Sequence, residues 1–265
     1  MALISRKRRP PILLVVLGVL GIALFVVPLL GLVARTPWNR VRELLTSPVV
    51  GDALRLSLTT SLAASAIAAV LGVPLAWLLA RAEFPGRSII RGLVTLPLVL
   101  PPVVGGAALL FALGRRGLLG EPIYEASGFL LPFSLWGVVV ANTFVAMPFL
   151  VITVEGALRN LDPRFEGAAA TLGAGRWTVL RRVTLPLIAP SLAAGMVLTW
   201  ARAFGEFGAT ITFAGNLQGR TQTLPLAVFV ALENNRDAAV AISLMMVVIA
   251  LSILVLLRDR WWKAL

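Results

Sequence analysis

The chain has no cysteine and no histidine, and its only lysines are Lys7 and Lys263. Without cysteine or histidine there can be no disulfides, no zinc site of the usual ligands, no histidine-ligated haem and no Ser-His-Asp hydrolysis. Neither lysine follows a glycine, so a phosphate-binding Gly-Lys-Ser/Thr loop is excluded as well. Any energised work must draw on a gradient or on another chain. Charge is scarce too: 14% of residues are Asp, Glu, Lys or Arg, against about a quarter in soluble domains.

What is abundant is apolar surface. Of 265 residues, 58% are hydrophobic, and the mean hydropathy is +0.92. A soluble domain of this length cannot hide so much, whereas lipid makes an apolar exterior favourable. Crossing the hydrocarbon takes about 20 apolar residues. Six stretches qualify, at 12–34, 54–80, 89–113, 130–154, 186–213 and 238–257. The third carries Arg91 and several prolines, and the fifth carries Arg202 and Glu206, so these two fit a plain span least well. The expected architecture is all-α and polytopic, with about six transmembrane helices. With no internal repeat or low-complexity tract, residues 1–265 read as a single membrane domain.

The first stretch follows Arg6-Lys7-Arg8-Arg9 and has the look of a secretory signal. Its apolar run of 23 residues is longer than a signal core, and no small-x-small cleavage site follows, so a retained anchor is expected. The net charge of +12 fits nucleic acid or the cytoplasmic bias of basic residues in membrane proteins. Chain order favours the second, and no nucleic-acid partner is expected. Residues 1–11, 81–91, 156–185 and 258–265 together hold 15 Lys and Arg, and the alternate connections hold 8. Both termini and the 156–185 loop are therefore expected in the cytoplasm, with Trp261-Trp262 beside Lys263 as an interfacial anchor.

The 156–185 loop is more than a connector. Asp162 precedes Pro163 as an N-cap precedes the first helical position. Phe165, Ala168 and Leu172 follow at spacings of three and four and make one apolar stripe. Gly173 and Gly175 are expected to end this helix in the left-handed conformation. A second short basic helix, 176–182, then runs into Leu185-Pro186. The stripe can press on the chain's own spans or seat in a partner's groove, and the residues alone leave both open.

Ala168-Ala169, Gly173 and Val183-Thr184-Leu185-Pro186 resemble the Glu-Ala-Ala…Gly…Ile-x-Leu-Pro loop of bacterial ABC importer permeases. In place of the family glutamate stands Gly167, with Glu166 one position earlier, about 100° around a helix. The stretches 96–106, 201–210 and 220–226 resemble segments of molybdate and sulfate permeases, nearest to the molybdate branch. The resemblance implies a type I importer permease that carries out no covalent chemistry and holds no cofactor. It would be a multi-pass protein of a bacterial or archaeal cytoplasmic membrane, working as a homodimer. ABC ATPase subunits would lie on the cytoplasmic side and a solute-binding protein outside. The cargo implied is molybdate or tungstate, with sulfate as the alternative.

The same resemblance makes the loop a coupling helix that docks on the ATPase, with Asp162, Phe165, Glu166, Ala168, Ala169, Leu172, Gly173, Leu185 and Pro186 as its candidate residues. Pro97, Pro101, Pro102, Gly105 and Gly106 break the third span, which fits either a pore wall or gate, or a kink for packing. Arg202 and Glu206 stand four apart and can pair, either lining an anion path or locking the structure. Arg220, Thr221 and Gln222, in a polar external stretch, are candidate contacts for the binding protein. Two rivals fit less well. A gradient-driven transporter should show paired halves with interrupted helices, and a membrane-embedded enzyme needs a cluster of acids, nucleophiles or ligands at depth.

Overall fold

The computed structural model describes residues 11–261, and among these there are helices and no strands. In order they are α1 (Ile12–Ala34), α2 (Val41–Leu45), α3 (Pro48–Arg81), α4 (Arg87–Val99), α5 (Pro102–Leu113), α6 (Gly120–Ser127) and α7 (Leu135–Asn160). Then follow α8 (Pro163–Thr171), α9 (Arg176–Val179), α10 (Leu185–Phe204), α11 (Gly208–Phe213), α12 (Leu224–Asn234) and α13 (Arg236–Trp261). A π-turn, Leu180–Thr184, joins α9 to α10 without a break.

The centre is a bundle of α3, α7 and α10. Ala68, Ala76 and Leu79 of α3 pack on Leu150, Val151, Val154 and Leu158 of α7 and on Ile188 of α10, all of them buried. Small residues bring the axes close, as is usual where van der Waals contact rather than water expulsion holds helices together. A Cβ on Gly195 of α10 would stand 3.0 Å from Leu150 Cδ1. α1 behaves differently: none of its residues is buried, and it touches α13 only lightly.

Five helices or helical runs are long and apolar enough to cross a membrane: Ile12–Ala34, Pro48–Arg81, Leu135–Asn160, Arg176–Phe204 and Arg236–Ile253. The expected third span is two helices, because Leu100 and Pro101 are extended and neither Pro101 nor Pro102 has an N–H to continue the ladder. The expected fifth span also divides, α10 stopping at Phe204 and α11 starting at Gly208. The fourth begins five residues later than expected, where Ser134 Oγ accepts the Gly137 N–H and sets the helix start. The stretch 214–237 is not a plain connector, since α12 within it buries Leu224, Leu226 and Ala227. The basic run at 6–9 lies outside the described residues, as do the side chains of the Trp261-Trp262-Lys263 anchor.

Candidate functional site

Two parts of the molecule carry the residues singled out above. The first is the 156–185 loop. Asp162 is the N-cap of α8, its carboxylate accepting the Arg164 N–H at 2.9 Å, with Pro163 in the first turn. At the other end Ala174 N–H donates to Ala169 O and Gly173 N–H to Ala170 O, the pairing of a Schellman cap, with Gly173 at φ 84°. Gly175 does not share that conformation; its φ of −64° is ordinary. The second short helix is a single α-turn, Arg176–Val179, run on by the π-turn.

Glu166 is the joint of this loop. One carboxylate oxygen accepts the Thr184 hydroxyl at 2.7 Å, and the other pairs with Arg81 Nη2 at 3.2 Å. A single side chain thus ties α8 to the root of α10 and to the end of α3. Gly167 meets nothing. The apolar stripe points away from all this: Phe165 is 54% exposed and Leu172 89%, with Ala168 exposed between them and Ala169 half-buried. Among the described residues no span covers the stripe. Leu185 packs on the central bundle, and Pro186 is exposed at the start of α10.

The second part is the pair of broken spans. Gly105 and Gly106 are both buried. A Cβ on Gly105 would lie 3.1 Å from Phe144 of α7, and one on Gly106 would lie 2.8 Å from Ala209 O and from Thr212 Cβ of α11. From the other side, a Cβ on Gly208 would sit 2.9 Å from Pro102 Cβ. Glycines on both helices therefore let α5 and α11 touch backbone to backbone. The glycines lie in the helix contact, while Pro101 and Pro102 make the break.

Arg202 Nη1 and Glu206 Oε2 are 2.6 Å apart, with the glutamate side chain 1% exposed. The other Glu206 oxygen accepts the Ala209 N–H at 2.7 Å, at the start of α11. The carboxylate bridges α10 to its own continuation across the break. Beside it Asn142 of α7 is buried, donating to Thr60 of α3 at 3.5 Å and accepting from Thr210 of α11 at 3.3 Å. Towards the loop end of α7, Glu155 is buried and pairs with Arg91 of α4 at 2.7 Å and with Arg159 at 3.0 Å. Arg91 also donates to Leu79 O of α3 at 3.1 Å. Sequence reasoning missed Asn142 and Glu155. The only signals were a lone amide in an apolar span and an i,i+4 acid–base pair at its edge.

Of the external candidates only Arg220 is exposed. Thr221 is fully buried and its hydroxyl accepts the Leu217 N–H at 2.9 Å, stapling the turn, and Gln222 is buried too. No group of three acidic, His or Cys side chains stands together to hold a metal ion among the described residues.

A multi-pass helical bundle with an exposed capped helix between two spans is the form of a transport-system membrane subunit. The chain belongs to the family of binding-protein-dependent transport system inner membrane components, whose model matches residues 72–263. Its sequence is 49% identical over 235 residues to the molybdenum transport system permease protein ModB of Mycobacterium tuberculosis, covering 88% of each chain. It is 36% identical over 236 residues to the sulfate transport system permease protein CysT of Escherichia coli, covering 88% of this chain and 84% of that one. A chain of a bacterial ABC transporter involved in the import of the acidic polysaccharide alginate superposes with a TM-score of 0.72 at 19% identity, over 95% of both chains. That last likeness establishes the fold, the one expected of a type I importer permease.

Proposed function

We propose that this chain is the channel-forming subunit of an ATP-driven importer for molybdate, with tungstate as a close mimic. It works as a homodimer with ABC ATPase subunits on the cytoplasmic side and a solute-binding protein outside. Both termini and the 156–185 loop face the cytoplasm, a reading supported by the 15-to-8 basic asymmetry. Transport is a switch between inward-open and outward-open packings, biased when the ATPase binds nucleotide. The chain performs no covalent chemistry.

The observation that carries this reading is the higher identity to the molybdenum permease relative, 49%, than to the sulfate permease relative, 36%. The exposed stripe on α8 supports the coupling half of it: Phe165 and Leu172 stand outside the bundle on a helix whose opposite side is pinned by Glu166. Arg202 is already neutralised by Glu206, so this arginine is not a free cation waiting for the dianion. Choice among tetrahedral oxyanions then falls largely to the binding protein.

Deleting the gene tests the substrate. A molybdenum-dependent activity such as nitrate reduction should fall at trace molybdate and recover with excess molybdate, while growth on limiting sulfate stays unchanged. A strain that starves for sulfate and keeps its molybdoenzyme would make the chain a sulfate permease.

A further inference from the structure

Between the end of α3 and the α9–α10 segment runs a groove in two connected parts. One, of about 560 Å³, is lined by apolar residues of α3, α7 and α10, including the 71%-exposed Val70. The other, of about 570 Å³, holds Arg81 and Arg176. Trp77, Trp177 and Leu180 line both and form the passage between them.

The groove has the polarity of a phospholipid laid along α3. Val70 and Arg81 are 11 residues apart, about 16 Å along a helix, and half of a bilayer's hydrocarbon is about 15 Å. The apolar part lies within the span of α3, at bilayer depth. The passage is flanked by two exposed tryptophans, the side chains that favour the level of the headgroups. The charged end holds two arginines against one acid. Arg81 Nε is buried and unpartnered among the described residues, and Arg176 makes no ion pair there. Glu166, the acid at this end, is occupied by Thr184 and Arg81. Phe165 and Leu172 do not line the groove, so the stripe of α8 and the groove are separate surfaces that meet at Ala170 and Ala174.

We propose that this groove binds one anionic phospholipid, an acyl chain against Val70, Trp77 and Leu180 and the phosphate between Arg81 and Arg176. The proposal goes beyond the transport reading and does not depend on the cargo. The lipid would fill the space under the coupling loop and brace α9 against α3.

The test uses the assembled transporter in nanodiscs of phosphatidylcholine alone or mixed with phosphatidylglycerol, re-extracted in detergent, with retained lipid counted by native mass spectrometry. Wild-type protein should retain phosphatidylglycerol above its share of the bilayer. Arg176→Gln, an exposed change, should lower that enrichment about fivefold, the factor one basic residue contributes near an anionic headgroup. Val70→Trp, which narrows the groove from its lipid-exposed wall, should reduce both retained lipids. Retained lipid that mirrors the bilayer, or variants that match wild type, would leave only the ordinary lipid annulus. A photo-crosslinking residue at Trp77 should label phospholipid; an adduct with the ATPase or a second copy of the chain would give the groove to a protein partner and overturn the proposal.

Discussion

A methyl group at position 106 has nowhere to go. Its nearest neighbours at 2.8 Å are the Ala209 carbonyl and Thr212 Cβ on the α-carbon side of α11, not a movable side-chain tip. Gly106→Ala should therefore cost about 1–3 kcal/mol, read as a lower midpoint for thermal unfolding of the purified assembly. Gly167→Ala, with open space around it, should cost nothing. At Glu206 two roles can be separated by the replacement chosen. Glu206→Ala leaves Arg202 without its partner and Ala209 N–H without an acceptor, and should cost about 3 kcal/mol. Glu206→Gln keeps the acceptor and loses only the charge, so the midpoint should fall by less. Stability retained in the glutamine variant with transport abolished would mean that the ion pair serves the anion's path and not the lock between α10 and α11.

On the scale of elements, α8 is a short helix held at three points and bare at a fourth. Its N-cap, its Schellman cap and Glu166 fix its position, leaving Phe165, Ala168 and Leu172 exposed. Gly173→Val places a β-branched residue at φ 84°, a conformation such residues resist, and should uncouple the ATPase while the permease still inserts. Leu172→Glu keeps the backbone and charges the stripe, and should cut co-purification of the ATPase. Normal substrate-stimulated ATP hydrolysis and normal co-purification in both variants would show that α8 docks on nothing.

Legibility followed from how local each cause is. The caps of α8 and the stripe could be read because Asp162-Pro163 and Gly173 act within a few residues of themselves. The role of Gly106 could not, because its reason lies on α11, a hundred residues on. Gly175 was misread for the opposite reason: its flexibility is local, but nothing there demands a positive φ. Thr221 looked like an external contact by polarity, and only the fold shows its hydroxyl turned inwards to Leu217.

For the whole molecule, the natural absence of cysteine makes any introduced thiol unique. Cysteine at Arg164 should resist a membrane-impermeant thiol reagent in intact cells, and cysteine at Gln218 should react. Labelling at 164 from outside would reverse the topology and remove the ATPase from α8. Five of the six expected spans, apolar over a bilayer's width, were legible from hydropathy alone, while the third is two shorter helices. Where a span breaks was only half legible: the prolines announce 101, while the break at Gly205–Phe207 has no proline and depends on a glutamate reaching forward to Ala209.

The two breaks stand side by side, with Gly208 against Pro102. The halves of the third span both touch α7, but their other partners differ. α4 is bolted through Arg91 to Glu155 of α7 and to Leu79 of α3, and α5 is pressed onto α11 through Gly106 and Gly208. Torque applied to α4 at the loop end therefore cannot pass straight up the span as it would along a rigid rod. It meets the extended pair Leu100–Pro101, level with the second break at Gly205–Phe207, an arrangement like the two pins of a universal joint. A rotation entering at one end can leave as a tilt at the other.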